Sequence, residues 1–435
     1  MKNSNRTGTQ PGFRTSPAGF ILALFLVIPL TAYSGGKGDS GGSQKTTITF
    51  DQFSGSGDNE VYLKRMIDLY TAANPNVTVR MQSYGFNDYF MQLTAKAAAG
   101  KAPDVFELNY ENFVAYAKNG YLLPLDDIIK AGGVDTSVYN PMALKAFNAG
   151  GKQYGVPNSF SNVVLIYNKD LFDRAKIAYP TDNWTWADAM TAAKAIRALG
   201  NNIYGYYHPL SFTEFYKTAE QNGGGVLDAG EKRFTINTQA NVETVTYLVD
   251  MQRGSNVMPT PEQLGGMGDW DLFKSGRLGM IVTGIWAFPD FTRDCNFAWD
   301  IVVEPGSKKK ATHFFSNGYV INKDSAVAAE AAKFITFISS NPQATRIRLD
   351  AAWELPPVID NTIIAQYKAK TPPANREAVF KSLDYLVTPP VITQFAQLQD
   401  IVAKHLNEAA AGRVSPAQAL INMEAECVKT IDLSR

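Results

Sequence analysis

The chain has 435 residues, with 41 basic and 41 acidic side chains and two cysteines, Cys295 and Cys427. Because the charges balance, no strong field would recruit a nucleic acid or an anionic membrane. The length predicts about two domains, and two distant thiols, which could pair, make no disulfide framework.

The N-terminal segment predicts export. Basic residues precede an apolar run at 20–30, and small residues follow it. This order is typical of a secretory signal peptide, which we place at residues 1–34. The alternative is an N-terminal membrane helix, but the run is shorter than the roughly 20 apolar residues that such a helix needs. Residues 35–45 are rich in Gly and Ser and predict a flexible linker.

Strands and helices then alternate along the chain. Alternating apolar residues predict strands at 46–53, 77–82 and 103–108, each followed by a helix. Such alternation indicates α/β layers with a parallel sheet, whose ligands collect at the carboxyl ends of the strands. The loops at 54–58 and 109–110 are therefore the first candidate site. The first helix should be capped by Asp58 and bury Val61, Met66, Ile67 and Tyr70.

Periodicity and capping residues also predict the later elements. Thr185 and Asp188 have the spacing of a capping box at the start of a helix. The remaining predictions are strands within 163–172 and 276–288, and helices at 185–200, at 328–340 and through the tail.

Sequence motifs of catalysis and metal binding are nearly absent. There is no G-x-S-x-G elbow, Walker loop or H-E-x-x-H, and the three histidines are scattered singly. The sequence therefore predicts neither a cofactor nor a metal. A secreted glycoside hydrolase stays open as an alternative, because its carboxylate pair is set in three dimensions rather than by sequence spacing.

Five predicted loops mix aromatic rings with Ser, Asn, Thr or Gly. Sugars need this mixture, since their C–H faces pack on rings and their hydroxyls need small donors and acceptors. The loops are residues 154–164, 204–216, 283–291, 312–319 and 351–357.

Segments in chain order resemble the extracellular solute-binding proteins, family 1, of bacterial ABC sugar importers. The first lobe of that family is similar to "GKAPDVFELNYENFVAYAKNGYLLPLDDII", and its crossover is similar to "GKQYGVPNSFSNVVLIYNKDLFDRAKI". Its Gly-x-Trp segment, its return to the first lobe and its terminal helices resemble "LFKSGRLGMIVTGIWAFPDF", "NGYVINKDSAVAAEAAKFITFISSNPQAT" and "NEAAAGRVSPAQALINMEAE". The resemblance covers residues 46–430.

This resemblance implies an α/β, two-lobe periplasmic binding protein fold (type II), with a ligand cleft between lobes joined by crossing hinge segments. The expected first lobe is 46–163 and 303–343, and the second is 164–302 and 344–435. Hinge closure on a bound solute is known for such folds.

The resemblance also implies site residues. Ser159 and Ser161 stand where other members carry an aromatic residue and a carboxylate, and Ile285 fills a small-residue position beside Trp286. Asp269 is expected to support the site, and Trp184 and Trp186 are expected to be packing residues. Carried over as ligand contacts are Asn109, Ser159, Ser161, Trp286, Phe315, Ser316, Asn317, Trp353 and Glu354. The strand ends and aromatic loops add Asp58, Tyr110, Phe160, Tyr207 and Phe212.

The implied function is the solute-binding subunit of an ABC importer, which captures a carbohydrate and delivers it to a membrane permease. We expect an exported monomer that is not an enzyme and binds no nucleic acid. The alternatives are a glycerophosphodiester or polyamine on the same scaffold, or the secreted glycosidase. The run 30–36 resembles a lipoprotein cleavage box in which Tyr33 replaces the cysteine, so it cannot be lipidated as written. Release, an uncleaved anchor and an altered sequence remain open.

Overall fold

The computed structural model describes residues 45–55, 59–351 and 353–433. The expected signal peptide, the linker up to residue 44, Tyr33 and Asp58 lie outside the described residues. No helix in the described part of the chain has both the length and the apolar character to cross a membrane.

The strands are, in chain order, β1 (Thr46–Gln52), β2 (Val77–Ser83), β3 (Val105–Asn109), β4 (Asn148–Ala149), β5 (Lys152–Gln153), β6 (Gly155–Asn168), β7 (Tyr204–Tyr207), β8 (Leu278–Gly284), β9 (Trp299–Val302), β10 (Thr312–Ile321) and β11 (Leu386–Val387).

The helices are α1 (Glu60–Ala73), α2 (Phe86–Ala98), α3 (Tyr110–Lys118), α4 (Asp126–Lys130), α5 (Pro141–Lys145), α6 (Lys169–Ala175), α7 (Trp186–Arg197), α8 (Phe212–Gln221), α9 (Gln239–Arg253), α10 (Pro261–Leu264), α11 (Asp269–Lys274), α12 (Phe288–Asp294), α13 (Ala328–Ser340), α14 (Pro342–Asp350), α15 (Asn361–Lys368), α16 (Glu377–Ser382), α17 (Phe395–Ala410) and α18 (Pro416–Thr430), with short 3-10 helices at Ile285–Ala287 and Leu383–Tyr385.

The alternation predicted near the N-terminus is confirmed. β1 pairs in parallel with both β2 and β3, and a helix follows each of these strands. The capping box of α7 is also present, because Thr185 accepts from the Asp188 amide and the Asp188 side chain accepts from the Thr185 amide. The prediction for Val61 is wrong, since this side chain is 60% exposed. The buried stripe of α1 runs through Leu63, Met66, Ile67 and Tyr70 instead, and position 61 lies off it.

Strand β6 organises the sheet, because it belongs to two groups of strands. Its residues 155–162 pair with β10, and the sheet then continues with β3, β1 and β2 as successive neighbours. We call these strands the first half-sheet. Its residues 163–168 pair with β8 and β9, and β7 lies beyond β8; these form the second half-sheet. The strand predicted at 163–172 therefore starts earlier and ends at Asn168, whose side chain accepts from the Leu171 amide at 3.2 Å and caps α6.

Separate hydrophobic cores cover the half-sheets. Phe50 of β1 packs with Tyr319 and Phe334 on the first half-sheet, where α1, α13 and α14 also lie. Leu165 and Met280 pack under α6 and α7 on the second half-sheet. A further core joins α8 and α9 to the C-terminal helices α17 and α18.

The two cysteines are free thiols. Cys427 is fully buried within α18 and Cys295 is half-buried after α12. Burial raises the pKa of each thiol to about 12.

Candidate functional site

A large cleft, with a volume of about 1880 Å³, opens where the half-sheets meet. Its walls come from the ends of β1 and β3, from β6 and β10, and from α2, α11, α12 and α17. The loop after β1 and the residues after β3, which the sequence selected as the first candidate site, both contribute.

Half of the predicted contacts line the cleft. They come from five separate parts of the chain and are Asn109, Ser161, Trp286, Phe315, Asn317, Trp353 and Glu354.

The floor of the cleft is set by strand register. Phe315 of β10 lies opposite Ser161 of β6, and Asn317 lies opposite both Ser159 and Asn109. Opposed residues in a sheet share one face, so these side chains point the same way. Ser159 lies on the same face but is fully buried, and its hydroxyl oxygen is 3.4 Å from the Asn317 side-chain nitrogen.

The alternation of strands also explains why two of the predicted contacts lie outside the cleft lining. Phe160 and Ser316 oppose each other on the other face of the sheet and do not line the cleft. Phe160 is part of the hydrophobic core, and Ser316 donates to the Ser159 carbonyl at 3.2 Å.

Three further predicted contacts also lie outside the cleft lining. Tyr110 packs its ring on Phe314 at the start of α3. Tyr207 is half-buried on β7, and Phe212 is buried edge-on against Phe395 at 5.5 Å. Aromatic composition selected the predicted loop 204–216, which contains both Tyr207 and Phe212, but composition does not show which ring faces a cleft.

Trp286 lies in the cleft as predicted, on the 3-10 helix after β8. Its indole is half-buried and meets Phe315 edge-on, with ring centroids 5.0 Å apart. The indole folds back over Gly284, where a Cβ would come within 1.9 Å of the ring. Gly284 therefore permits this orientation, and the neighbouring Ile285 is fully buried in the core.

Sequence reasoning missed other rings in the cleft. Phe53, Phe86 and Phe90 form an aromatic patch beside the first half-sheet, with centroids 5.4 to 5.6 Å apart. Trp270 lies on the other wall and donates its indole N–H to Thr283 at 3.2 Å. The preceding Asp269 is half-buried and accepts from the Trp270 amide, so it supports this ring rather than lining the cleft. A tryptophan in the first turn of α11, within "GDWDLF", was the available signal.

Glu107 anchors the loop that carries Phe53. One oxygen of this fully buried carboxylate accepts from the amides of Phe53 and Ser54 at 3.0 and 2.9 Å. The other accepts from the Ser54 hydroxyl at 2.5 Å and from the Asn158 amide at 2.6 Å. A buried carboxylate is tolerated when its oxygens are satisfied in this way, and Glu107 thereby fixes the position of the loop.

Buried polar atoms converge on the cleft without partners. Glu111, Ser161 and Glu354 line the cleft, and their atoms Glu111 Oε2, Ser161 Oγ and Glu354 Oε2 are buried without a hydrogen-bond partner among the described residues, although Glu354 Oε2 lies 3.9 Å from the Arg348 guanidinium. Unpaired buried groups of this kind typically cost about 1–3 kcal/mol each. The two carboxylate oxygens can each accept a hydrogen bond, and the Ser161 hydroxyl can donate or accept one. No described protein group uses this capacity, so a ligand could.

Glu354 has the most perturbed environment. Burial raises the pKa of its carboxyl to about 7, although the Arg348 guanidinium 3.9 Å away opposes this shift. The Arg348 guanidinium in turn lies over the Trp353 ring, 4.2 Å from its centroid. This stacking fixes the position of Arg348 relative to Trp353 beside the cleft.

Among the described residues, three of the four cations that line the cleft have acidic or backbone partners, and the fourth, Arg65, is exposed on α1. Arg293 pairs with Asp290, Lys370 donates to the Asp350 carbonyl, and Arg376 donates to two backbone carbonyls. These side chains therefore do not form a cluster aimed at an anionic ligand.

A buried cluster of His208, Glu214 and Glu304 lies outside the cleft and has a spacing that could hold a metal ion. Lys217 Nζ is 2.6 Å from Glu214 and 2.7 Å from Glu304. The ammonium already supplies the positive charge between the carboxylates, so we interpret the cluster as a structural ion network.

Two half-sheets that share crossing strands and border one ring-lined cleft define a two-lobe α/β ligand-binding protein. The chain belongs to the bacterial extracellular solute-binding protein family, whose model matches residues 34–345. The predicted family and the type II two-lobe fold are confirmed.

Comparison with individual proteins supports this membership. The chain is 44% identical to an ABC substrate-binding protein from Listeria monocytogenes solved in complex with cycloalternan, with a TM-score of 0.86 over 89% of this chain and 99% of that one. It is 23% identical to the arabinooligosaccharide-binding protein of Bacillus subtilis (strain 168), over 75% of this chain and 77% of that protein. A Mycobacterium tuberculosis protein in complex with glycerophosphocholine shares the fold, with 19% identity and a TM-score of 0.77 over 87% of this chain and 97% of that one. These relatives are binding proteins.

Proposed function

We propose that this protein is the extracytoplasmic solute-binding subunit of an ABC importer, and that it captures an oligosaccharide in the cleft and delivers it to a membrane permease. The carrying observation is the combination of aromatic rings on opposite walls with unpaired buried acceptors between them. Pyranose faces pack on rings, and sugar hydroxyls satisfy such acceptors.

The size of the cleft favours an oligosaccharide over a single sugar. Its volume of about 1880 Å³ exceeds the roughly 300–1,000 Å³ usual for small-molecule pockets. The Listeria relative was solved with cycloalternan, so this compound is the first ligand to test.

The charges favour a neutral ligand. A glycerophosphodiester, the ligand class of the Mycobacterium relative, would call for a cluster of free cations, whereas Arg293, Lys370 and Arg376 already have partners. Among the cleft cations that the structure describes, only Arg65 has neither an ion pair nor a hydrogen bond. A polyamine would call for several carboxylates whose charge is not already shared, but one Glu111 oxygen lies 3.0 Å from His313 and Glu354 lies 3.9 Å from the Arg348 guanidinium, so each keeps at most one oxygen for a ligand.

The half-sheets are the proposed cores of the two lobes. The proposed first lobe comprises residues 46–163 and 303–343. The first part of the proposed second lobe is residues 164–302. Helix α14 packs on α1 and α13, and Val358 bridges to Tyr139, so we extend the first lobe from 343 through Val358. Two crossing segments, at 162–163 and after β9, would then serve as the hinge.

A thermal-shift panel tests this function. A ligand that binds only the folded protein raises its melting temperature by mass action. We expect a rise with cycloalternan or another oligosaccharide and none with glycerophosphocholine or spermidine. The same mixtures, assayed for reducing ends, test the secreted glycosidase. Released reducing sugar, or a shift with the phosphodiester alone, would overturn the proposal.

Export by residues 1–34 is proposed with the same function, as are a monomeric state and the absence of nucleic acid from its partners. Because Tyr33 lacks the thiol that forms the lipid thioether, the bacterial protein should partition into the aqueous phase of a detergent extract. Tyr33→Cys should move it into the detergent phase. Lipidation of the unaltered protein would show that this interpretation of Tyr33 is wrong.

A further inference from the structure

A hydrogen-bonded chain of three buried side chains joins α8 to the cleft wall. The Tyr216 hydroxyl of α8 lies 2.5 Å from Nδ1 of His313 on β10. Nε2 of the same imidazole lies 3.0 Å from Oε1 of Glu111 on α3. All three residues are at most 2% exposed, while the other Glu111 oxygen has no partner among the described residues and Glu111 lines the cleft.

The protonation state of His313 decides the direction of these bonds. A neutral imidazole has one N–H, and facing a carboxylate it places that proton on Nε2, so that Nδ1 accepts from the Tyr216 hydroxyl. In the cationic form Nδ1–H donates to the Tyr216 oxygen instead. The phenol proton then turns to the Val387 carbonyl, which lies 3.1 Å away.

The His313 ring also contacts Phe315, a residue that lines the cleft. Its centroid lies 3.5 Å from that of Phe315, which in turn meets Trp286. The imidazole thus contacts the carboxylate of a cleft-lining residue on one side and the aromatic floor on the other.

The surroundings favour a neutral imidazole. Burial lowers the pKa of His313, and Glu111 and Glu214 oppose this shift only in part. The titratable groups that face the chain are Tyr110 and Glu111 of α3 and Glu214, Lys217 and Glu220 of α8, with His208 and Glu304 beside Lys217.

We propose that His313 is a positioning residue for the ligand, which holds the Glu111 carboxylate with Oε2 toward the cleft, and that gain of a proton by His313 weakens oligosaccharide binding. The proposal rests on the proposed function. A cationic imidazole draws the Glu111 charge toward itself, which makes this carboxylate a poorer acceptor for a sugar hydroxyl. Tyr216 supports the neutral form by donating to Nδ1.

The test is calorimetric titration of the full chain with the oligosaccharide that gives the largest thermal shift, between pH 7.5 and pH 5. All variants are made in a Glu354→Gln background, because Glu354 titrates in the same range. Because burial holds the pKa of His313 below the ordinary histidine value of about 6.5, we expect affinity to fall about five- to tenfold only toward the acidic end of this range, since one pKa unit of linkage equals about tenfold in affinity.

Two substitutions separate positioning from packing. His313→Gln keeps an N–H donor near the place of Nε2 but does not titrate, so affinity should stay near the background value and become independent of pH. His313→Leu removes the donor and should bind at least tenfold more weakly at both pH values. Melting curves identify any variant that fails to fold.

A pH step that persists in His313→Gln, or a His313→Leu protein that folds and binds normally, would overturn the proposal. If no oligosaccharide binds at any pH, the proposed function itself is wrong, and the two failures are therefore distinguishable.

Discussion

Trp286 lines the cleft, and its ring is held in place by an edge-on contact with Phe315. Its substitution therefore tests ligand binding in the cleft directly. Burying roughly 80–100 Å² of ring and sugar surface contributes about 2–3 kcal/mol. Trp286→Ala should therefore weaken oligosaccharide binding about 30- to 100-fold, measured by calorimetric titration, with little change in melting temperature. Trp184 is the control, because it packs with Phe172 in the core. Trp184→Ala should cost about 0.5–3 kcal/mol of stability, as expected for a half-buried packing residue, and leave affinity unchanged in the folded fraction.

Glu354 gives affinity a pH dependence of its own. Its carboxyl has a pKa of about 7, so it changes from acid to carboxylate near neutrality. The ionised form is the stronger acceptor for a sugar hydroxyl, and affinity should rise with pH through about 7, by at most about tenfold per unit. Glu354→Gln should abolish this rise. An affinity that is flat from pH 6 to 8 in the native protein would remove Glu354 from the site.

The same group has an opposite effect on the unliganded protein. Because burial raises the folded-state pKa above the ordinary value of about 4.3, Glu354 contributes stability at low pH that is lost as pH rises through about 7. At pH 8 the Glu354→Gln protein should melt higher than the native protein, and at pH 4 the difference should vanish. Paired melting curves at the two pH values check this sign.

The turn after β8 shows how an element can control a residue. A Cβ at Gly284 would overlap the Trp286 ring, so Gly284→Ala should displace the indole and weaken binding about as much as Trp286→Ala. The double variant should then show no additional loss, because both changes remove one interaction. Gly85→Ala is the matched control, since a Cβ there meets nothing within 4 Å. Additive losses would mean that Gly284 acts elsewhere.

Helix α2 offers a matched pair of exposed apolar side chains. Phe86 and Met91 are 56% and 69% exposed, but only Phe86 lines the cleft. Covering about 50 Å² of the Phe86 ring would contribute about 1.3 kcal/mol, so Phe86→Ala should weaken binding roughly tenfold and Met91→Ala should not. Equal affinities in titrations of both variants would exclude the aromatic patch from ligand binding.

Elements were more predictable than site membership. The first three strands and their helices follow from periodicity, and the α7 capping box follows from two residues, because these signals are local. The face of a strand that meets the cleft is not local: Ser161 and Phe160 are neighbours, yet one lines the cleft and the other packs in the core. Strand β6 also begins eight residues before the predicted start, because its first half pairs with β10, far along the chain.

At the scale of the whole molecule, the family was recognisable because its segments occur in order over most of the chain, whereas the cleft collects side chains from distant loops. The Phe53 position, for example, depends on Glu107, which is 54 residues away in sequence. Such contacts have no sequence spacing that a single chain can reveal. The resemblance therefore predicted the fold and placed half of the predicted site residues in the cleft lining, whereas the position of the others depends on contacts between distant parts of the chain.

The buried thiols make the native chain suitable for site-selective labelling. With a pKa of about 12, only about one in 10⁵ of each thiol is thiolate at pH 7, against a few per cent for an ordinary cysteine of pKa about 8.5. A maleimide should therefore react with an introduced exposed cysteine, such as Met91→Cys, far faster than with Cys295 or Cys427. A fluorophore placed there could report motion of the cleft without removal of either native cysteine.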